Sequence, residues 1–377
     1  MGTRIAVIGL GAIGAQALWQ LSQHEGIEVD GYEMHSIGHG LGASGGDGRV
    51  FRTIQYEDPA YVPLIQRAED IWQRLEAETR QQLRVITGAL AVGTESCGQV
   101  ARSVEGIERY GLRVDQLSPE QLRRRYPQMV FHDDDAGLYD HDGGLIRPEL
   151  TILSAVTAAA ARGASVFEGA RVRAIDEIGD VVAVRTDAGV REYDEAIVAT
   201  GAWAPQLAAA VSNGLQPRKV TSAWFFPREF GALEGLPPFV RFEPDQFYGV
   251  PSQDGLSIKL GLSGIHHLDV DTPDAADYVV REENFDGFRR RLAEYFPSLH
   301  PQPFRLETYF EGYTPDSRPV VQKVSADSHV TYAVGFSGHG FKLAPAYGRI
   351  AADLALHAPE DPDTAFLRRE FETTRAA

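Results

Sequence analysis

The sequence predicts an α/β protein of two domains, in which a Rossmann-like domain is joined to an α+β domain with a mixed, largely antiparallel sheet. Three observations support this prediction. The chain opens with a strand, a glycine-rich turn and a helix; strand patterns dominate from about residue 215 to residue 318; and a second strand–glycine–helix unit follows near the end. The 377 residues also exceed what one ordinary core encloses.

The first unit is an apolar strand, Ile5–Ile8, that runs into the motif Gly9-x-Gly11-x-x-Gly14. The first glycine permits a tight turn, the second lets backbone approach a pyrophosphate, and the third lets helix and strand pack closely. The helix that follows offers unpaired N–H groups to phosphates. The second strand ends on Glu33, where an acid can bind a ribose hydroxyl. The unit predicts dinucleotide binding. The alternative, a glycine-rich turn that serves only to pack the helix on the strand, does not explain why Glu33 ends the second strand.

Composition narrows the function classes. The net charge of −17 argues against a nucleic-acid or anionic-membrane partner, and no apolar run approaches the length of a membrane span. The single cysteine, Cys97, rules out an intrachain disulfide framework and any cysteine-rich metal or iron–sulfur site. Because the first motif begins at residue 5, we expect no signal peptide. The single cysteine fits a reducing cytoplasm, and we expect no metal site.

A glycine-rich stretch at residues 38–49 cannot form a stable helix. Either its backbone approaches a ligand or it is a flexible surface loop. Arg49 and Arg52 follow, with two apolar residues between them. They either reach a buried anion or are solvated surface charges.

The remaining elements are predicted from start signals and periodicity. Helices begin at Asp58-Pro59, at Ser118-Pro119 and at Arg147-Pro148, and further helices cover 281–296 and 345–356. Strand patterns cover 85–92, 137–139, 170–175, 181–185, 190–193, 195–199, 220–226, 239–242, 246–250, 256–260 and 330–334. Five aromatic residues of these strands form either a roomy pocket or the core of the sheet: Trp224, Phe225, Phe226, Phe239 and Phe242.

Six motifs, taken in order, resemble one family. They are Gly9, Gly11 and Gly14 with Glu33; Gly46-Asp47-x-Arg49-x-x-Arg52; Ala199–Trp203; Phe247-Tyr248-Gly249-x-Pro251 with Lys259-Leu260-Gly261; Tyr313–Asp316; and Gly335–Lys342. Over nearly the whole chain they resemble the D-amino-acid-oxidase superfamily of FAD enzymes, in its monomeric sarcosine oxidase and N-methyltryptophan oxidase branch. The resemblance implies a discontinuous FAD-binding domain (1–84, 145–216 and 318–377) and a substrate domain (85–144 and 217–317).

The resemblance implies an FAD-dependent oxidase of a carboxylate-bearing amine, either a secondary N-alkyl or a primary amino acid. Such an enzyme converts the amine to an imine and reduces O2 to hydrogen peroxide, and the branch suggests a monomer. Two alternatives stay open. One is a dehydrogenase of the same fold with another electron acceptor, and the other is a flavin hydroxylase or a non-redox nucleotide-binding scaffold.

The resemblance also implies roles for individual residues. Arg52 and Lys342 match the clamp for the substrate carboxylate, and Lys259 matches the lysine credited with activating oxygen. Arg49 matches the arginine over the flavin ring. Tyr248 and Tyr313 match the tyrosines of the substrate pocket. Without the family, Lys259 would be interpreted as an outward-facing strand charge. The expected cofactor contacts are Gly9, Gly11, Ala12, Ile13, Gly14, Glu33, Ser44, Arg49, Val172, Thr200, Gly201, Trp203, Gly338, His339, Gly340, Phe341 and Lys342.

Two positions depart from the branch. It attaches FAD through a cysteine two residues before Tyr313, and Glu311 stands there in this chain. We therefore expect non-covalent FAD unless a histidine is used, and a carboxylate at the flavin edge that could pair with a cationic substrate. Ser263 replaces a pocket histidine, while His266 and His267 follow it. The rebuilt pocket predicts a substrate other than sarcosine.

Overall fold

The computed structural model describes residues 2–207, 214–263, 267–281, 285–359 and 361–367. In these ranges the α-helices are α1 (Ala12–Leu21), α2 (Val62–Thr79), α3 (Gly98–Tyr110), α4 (Pro119–Arg125), α5 (Pro148–Ala161), α6 (Phe285–Tyr295) and α7 (Ala344–Ala355). Short 3-10 helices cover Pro59–Tyr61, Gly201–Gln206, Pro273–Ala275, Phe341–Leu343 and Pro362–Leu367. Among the described residues, no helix combines the length and the apolar character that a membrane crossing requires.

The strands are β1 (Thr3–Ile8), β2 (Ile27–Tyr32), β3 (Arg49–Phe51), β4 (Arg84–Val85), β5 (Ala89–Thr94), β6 (Val114–Leu117), β7 (Asp135–Asp140), β8 (Gly144–Ile146), β9 (Ser165–Phe167), β10 (Val172–Ile178), β11 (Val181–Thr186), β12 (Gly189–Tyr193), β13 (Glu195–Val198), β14 (Gln216–Phe225), β15 (Phe239–Arg241), β16 (Phe247–Pro251), β17 (Ile258–Leu262), β18 (His267–Asp269), β19 (Arg305–Tyr313), β20 (Val320–Lys323) and β21 (Val330–Val334). They form two large sheets and two three-stranded sheets.

The first large sheet has the order β20-β21-β13-β1-β2-β9. β1 pairs in parallel with both β2 and β13, and α1 connects β1 to β2 as the sequence predicts. Helices α5 and α7 pack against α1, whose residues are all buried. Gly9 adopts a φ of +87°, and a Cβ on Gly14 would lie 1.8 Å from the carbonyl oxygen of Gly9. The close turn therefore needs both glycines.

The second large sheet has the order β18-β14-β17-β16-β15-β5-β7-β6, with β19 paired along β14. Only the described pair β15–β5 is parallel, so the sheet is mixed and largely antiparallel, as predicted. Helix α6 packs on it through Phe288 and Leu292. The core interpretation is right for four of the five aromatic residues, Trp224, Phe225, Phe239 and Phe242, whereas Phe226 is 45% exposed.

Two predicted elements differ in the structure. The strand predicted at 85–92 is two strands, β4 and β5, because the chain breaks at Gly88 (φ +80°), where a Cβ would lie 2.2 Å from the Tyr139 hydroxyl. The break takes the chain from the small sheet β3-β8-β4 to the large mixed sheet. The helix predicted at 281–296 covers residues 282–284, which lie outside the described residues; its described part is Phe285–Tyr295. Strand β19 was not among the predicted strands.

The two large sheets are built from the chain segments assigned to the two domains, and β14 begins at Gln216, next to the expected boundary. The domain limits themselves stay a prediction.

Candidate functional site

A long cleft opens at the carboxyl ends of the parallel strands of the first sheet. The turn after β1 contributes Gly9 and Gly11, the segment after β13 contributes Thr200 and Gly201, and the loop after β21 contributes Gly338. The cleft encloses about 1360 Å³, part of which is open to solvent. Ligands of open α/β sheets bind at this edge. The position of the cleft and the glycine turns that line it therefore suit a dinucleotide.

Glu33 lies in the cleft wall with its carboxylate held by backbone. Oε2 accepts the N–H of Leu10 at 3.0 Å, and Oε1 accepts the N–H of His35 at 3.0 Å. Burial raises the pKa of Glu33, but hydrogen bonds from His39, His35 and Leu10 outweigh this effect, and the pKa lies below its usual value. An ionised acid at the end of β2 can accept ribose hydroxyls.

Two hydroxyl groups that line the cleft are also consistent with a bound dinucleotide. Ser44 Oγ accepts the N–H of Ala12 at 3.0 Å, beside the N-terminus of α1. Thr200 lines the cleft, and its buried Oγ1 has no hydrogen-bond partner among the described residues. A buried hydroxyl in this state is explained by a ligand that supplies the missing bond. The residues present therefore fit the cofactor that the sequence implies.

Most of the expected cofactor residues line this cleft, and three do not. Gly14 lies behind the turn, where it lets α1 pack against Gly9. His339 Nε2 bonds to the carbonyl oxygen of Ser317 at 2.8 Å, and Lys342 lies in a separate cluster. The expected residues that line the cleft are Gly9, Gly11, Ala12, Ile13, Glu33, Ser44, Arg49, Val172, Thr200, Gly201, Trp203, Gly338, Gly340 and Phe341.

Arg52 and Lys342 come together around one carboxylate, that of Glu57. Arg52 forms an ion pair with Glu57, and Lys342 Nζ lies 3.6 Å from Glu57 Oε1. The guanidinium also lies 3.7 Å from the centre of the Tyr56 ring. Arg52 and Lys342 are both buried. The structure thus brings the two residues of the expected carboxylate clamp together.

Burial sets the charges of this cluster. It raises the pKa of Glu57, but the nearby Arg52 and Lys342 charges outweigh it and hold that pKa far below its usual value. Burial and the like charge of Arg52 lower the pKa of Lys342 to about 7. Glu57 is therefore ionised at neutral pH, and Lys342 is near its midpoint.

Arg49 and Lys259 form a second cationic pair, which binds the glycine-rich loop. Lys259 Nζ donates to the carbonyl oxygens of Gly46 at 2.8 Å and Gly48 at 2.6 Å. Arg49 donates to the oxygens of Ala43 at 2.7 Å and Gly48 at 2.9 Å. Lys259 is 2% exposed, so the interpretation as an outward-facing strand charge is wrong. Burial, followed by the charge of Arg49, holds the pKa of Lys259 well below its usual value.

Strand β19 brings three polar side chains to the same region. Tyr309, Glu311 and Tyr313 alternate along it and share one face. The Tyr313 hydroxyl donates to Glu311 Oε2 at 2.9 Å, and Tyr309 and Tyr248 hydroxyls lie 3.4 Å apart. Glu311 lines the cleft, where burial raises its pKa. The strand therefore connects the expected pocket tyrosines with the cofactor cleft.

Ser263 and the histidines that follow it form the second departure from the branch, and one of these histidines contacts Tyr313. The Tyr313 hydroxyl is 3.1 Å from His267 Nδ1. Ser263 follows β17, and its N–H donates to the carbonyl oxygen of Gln246 at 2.9 Å. His266 lies outside the described residues. His267 is thus the described histidine of this segment that reaches the tyrosine.

Sequence reasoning missed four residues of this region: Tyr56, Glu57, Glu149 and Tyr309. Tyr309 could have been found, because it precedes Glu311 by two residues on an alternating strand. The other three carry no local signal. The pairing of Glu57 with two cations depends on how distant segments meet.

The sequence was also compared with known families and proteins, and it is similar to FAD enzymes. A family model described as FAD dependent oxidoreductase matches residues 4–354. Monomeric sarcosine oxidase from Streptomyces avermitilis is 31% identical over 358 residues, which cover 93% of each chain. N-methyl-L-tryptophan oxidase from Salmonella enteritidis is 27% identical over 359 residues, or 93% of this chain and 94% of the relative.

Solved structures share the fold. NikD, described as an unusual amino acid oxidase essential for nikkomycin biosynthesis, superimposes in its open form with a TM-score of 0.85 at 23% identity, over 97% of both chains. L-proline dehydrogenase from P. horikoshii gives a TM-score of 0.82 at 22% identity, over 96% of both chains. At these identities the likeness establishes the architecture alone.

Proposed function

The chain belongs to the family of FAD-dependent oxidoreductases, and from this premise we propose that it oxidises a carboxylate-bearing amine with O2 as the acceptor. The substrate is a secondary N-alkyl or a primary amino acid, and the rebuilt pocket at Ser263 disfavours sarcosine. One amine and one O2 give one imine and one H2O2, and water then hydrolyses the imine. When bound, FAD supplies the two-electron redox chemistry.

The convergence of Arg52 and Lys342 on Glu57 carries this proposal. The Glu57 carboxylate occupies the position that a substrate carboxylate needs, between a guanidinium fork and an ammonium group. Arg52 and Lys342 are thus arranged around one carboxylate. A substrate carboxylate that takes the place of Glu57 carries the same single charge, and this favours a monocarboxylate amine.

Lys259 and Arg49 supply the second part of the mechanism. Lys259 is buried beside the loop, and Arg49 is half-buried and lines the cleft. Fixed positive charge stabilises the negative charge that develops when oxygen is reduced. Lys259 therefore promotes the reaction with oxygen, while Tyr248 and Tyr313 bound the substrate.

Attachment of FAD is proposed to be non-covalent. Glu311 stands in the cleft wall at the position where the branch has its linking cysteine. Cys97 is buried at the start of α3 and packs with Val240 and Phe242, away from the residues that line the cleft. The chain is further proposed to act as a monomer.

The first experiment is a visible spectrum of the purified protein followed by acid precipitation. We expect a flavin spectrum and free FAD in the supernatant, and then peroxide formation with N-methyl or primary amino acids. Yellow colour retained in the pellet would contradict non-covalent attachment. Reduced flavin that is stable in air would point to the dehydrogenase alternative. Absence of FAD binding, even after FAD is added, would overturn the proposal.

A further inference from the structure

Glu149 contacts the glycine-rich loop from the side opposite the two cations. It lies in the first turn of α5, where a carboxylate is favoured by the helix dipole. Its Oε1 accepts the N–H of Gly46 at 2.6 Å and the N–H of Asp47 at 3.3 Å. One carboxylate oxygen thus holds two successive N–H groups of the loop.

Those N–H groups belong to the same peptide units whose oxygens bind the cations. The unit between Gly45 and Gly46 accepts a bond from Arg49 at 2.5 Å, and the unit between Gly46 and Asp47 accepts one from Lys259 at 2.8 Å. The N–H and C=O of a trans peptide point in opposite directions. Each unit therefore connects the carboxylate to one cation, and hydrogen bonds in such a chain strengthen one another.

The loop has a conformation that needs this support. Gly46 has a φ of +96° and Asp47 a φ of +60°. The N–H of Gly48 donates to the Gly46 oxygen at 2.8 Å and closes a three-residue turn. A non-glycine residue with positive φ persists only where its surroundings hold it. Here Glu149 holds the backbone, and Arg305 pairs with the Asp47 side chain.

From this arrangement we propose that Glu149 is a positioning residue, which holds residues 45–48 so that their carbonyl groups place Arg49 and Lys259 beside the cofactor cleft. The inference rests on the proposed function, in which Lys259 promotes the reaction with oxygen. Glu149 acts through the peptide units and contacts the loop backbone, not the reacting groups.

The test uses three variants of the holoenzyme. Glu149→Ala removes the acceptor, and Glu149→Gln retains an oxygen that accepts N–H bonds. Glu168→Gln is the matched control, because Glu168 accepts the backbone N–H of Ile37 at 2.6 Å outside the 45–48 loop. The measurements are the rate of flavin reduction by substrate, the rate of reoxidation by O2, and the FAD dissociation constant of the apoprotein.

For Glu149→Ala we expect reoxidation to slow about tenfold and the FAD dissociation constant to rise about tenfold, because a charge-assisted hydrogen bond is lost. Reduction by substrate changes less than about threefold. Glu149→Gln recovers FAD affinity to within about threefold of the parent protein, and the control matches the parent. In a Lys259→Met background, Glu149→Ala slows reoxidation by less than it does in the parent protein, because the part of its effect that passes through Lys259 is already lost.

Equal slowing with and without Lys259 would overturn the inference, as would a glutamine variant that binds FAD as weakly as the alanine variant. If Lys259→Met alone leaves reoxidation unchanged, the proposed role of Lys259 fails. In that case the FAD dissociation constant alone tests the inference. A dissociation constant in Glu149→Ala equal to that of the parent protein would overturn it. If the alanine variant does not fold, Glu149→Asp replaces it, because its shorter side chain cannot reach both N–H groups.

Discussion

Two arginine–lysine pairs lie in the region of the cleft, and they differ in the groups that neutralise them. Arg52 and Lys342 share a side-chain carboxylate, that of Glu57. Arg49 and Lys259 instead bind main-chain carbonyl oxygens of the glycine-rich loop. Arg49 is the first residue of the short strand β3 and Arg52 follows the strand, so the two arginines lie three positions apart and face opposite sides of an extended chain.

The difference teaches how the same two residue types serve two purposes. A carboxylate on a rotatable stem can leave and be replaced by another carboxylate of equal charge, so the first pair suits a ligand that comes and goes. Main-chain carbonyls are fixed by the loop, so the second pair keeps its partners and suits a constant position beside the cleft. Burying cations with only partial neutralisation is costly, which fits the lowered pKa of Lys259.

The largest expected effect comes from the fixed pair. Lys259→Met should slow flavin reoxidation by about 100-fold or more, because one preorganised cation is lost from the place where charge develops. Reduction of the flavin by substrate should fall by less than about tenfold. Stopped-flow measurement of the two half-reactions separates them.

The control for this variant is Lys323→Met. Lys323 is a half-buried lysine that pairs with Glu195 at 2.9 Å and does not line the cleft. It should leave both half-reactions unchanged. If Lys259→Met slowed both half-reactions equally, Lys259 would have no specific role in oxygen activation. The proposed difference between the two arginine–lysine pairs would then be wrong.

The second effect comes from the exchangeable pair. Arg52→Ala should weaken binding of a simple carboxylate such as acetate by about 100-fold, because a charge-assisted bidentate contact is lost. Titration of the flavin spectrum measures the affinity. Arg52→Lys keeps the charge without the planar fork and should fall between the alanine variant and the parent protein. Unchanged acetate affinity in Arg52→Ala would remove Arg52 from the clamp.

The third effect is a pH dependence of carboxylate binding. The pKa of Lys342, which faces Arg52, Glu57 and His339, is lowered to about 7. A bound carboxylate favours the ammonium form, so binding above this pH requires proton uptake. Acetate affinity should be level below pH 7 and fall by up to about tenfold per unit above it. Lys342→Met should flatten the profile, and a flat profile in the parent protein would contradict the assignment.

Local structure was the part of the molecule that the sequence predicted well. The turn at Gly9, the helix caps at Asp58 and Ser118, and the parallel β1–β2 unit are all confirmed, because each depends on residues close in the chain. Strand β19 was not predicted, because its charged and aromatic residues make the alternation of apolar and polar positions weak. The partners of the four cations could not be predicted, because Lys259 and Gly46 are 213 residues apart.

Glu57 shows that even a contact between residues close in the chain could not be predicted from the sequence. It lies five residues after Arg52, yet nothing in the intervening residues indicates that the chain turns back to form an ion pair. Glu149 and Gly46 are 103 residues apart, and their contact depends on how α5 meets the loop. The family motifs identified the cations, but Glu57 and Glu149 change how these cations are interpreted. The structure therefore adds most information about the carboxylates that contact the cations or the loop that binds them.

The smallest expected effect has the opposite sign and tests whether the first pair is exchangeable. If Glu57 competes with a ligand for Arg52 and Lys342, then Glu57→Gln should bind acetate about fivefold more tightly. The measurement belongs at pH 6, because loss of Glu57 lowers the pKa of Lys342 further and only low pH keeps the ammonium charged. Acetamide, which has the shape of acetate without its charge, should bind both proteins equally. Weaker acetate binding in the variant would mean that Glu57 orients the two cations instead of competing for them, and both pairs would then be fixed.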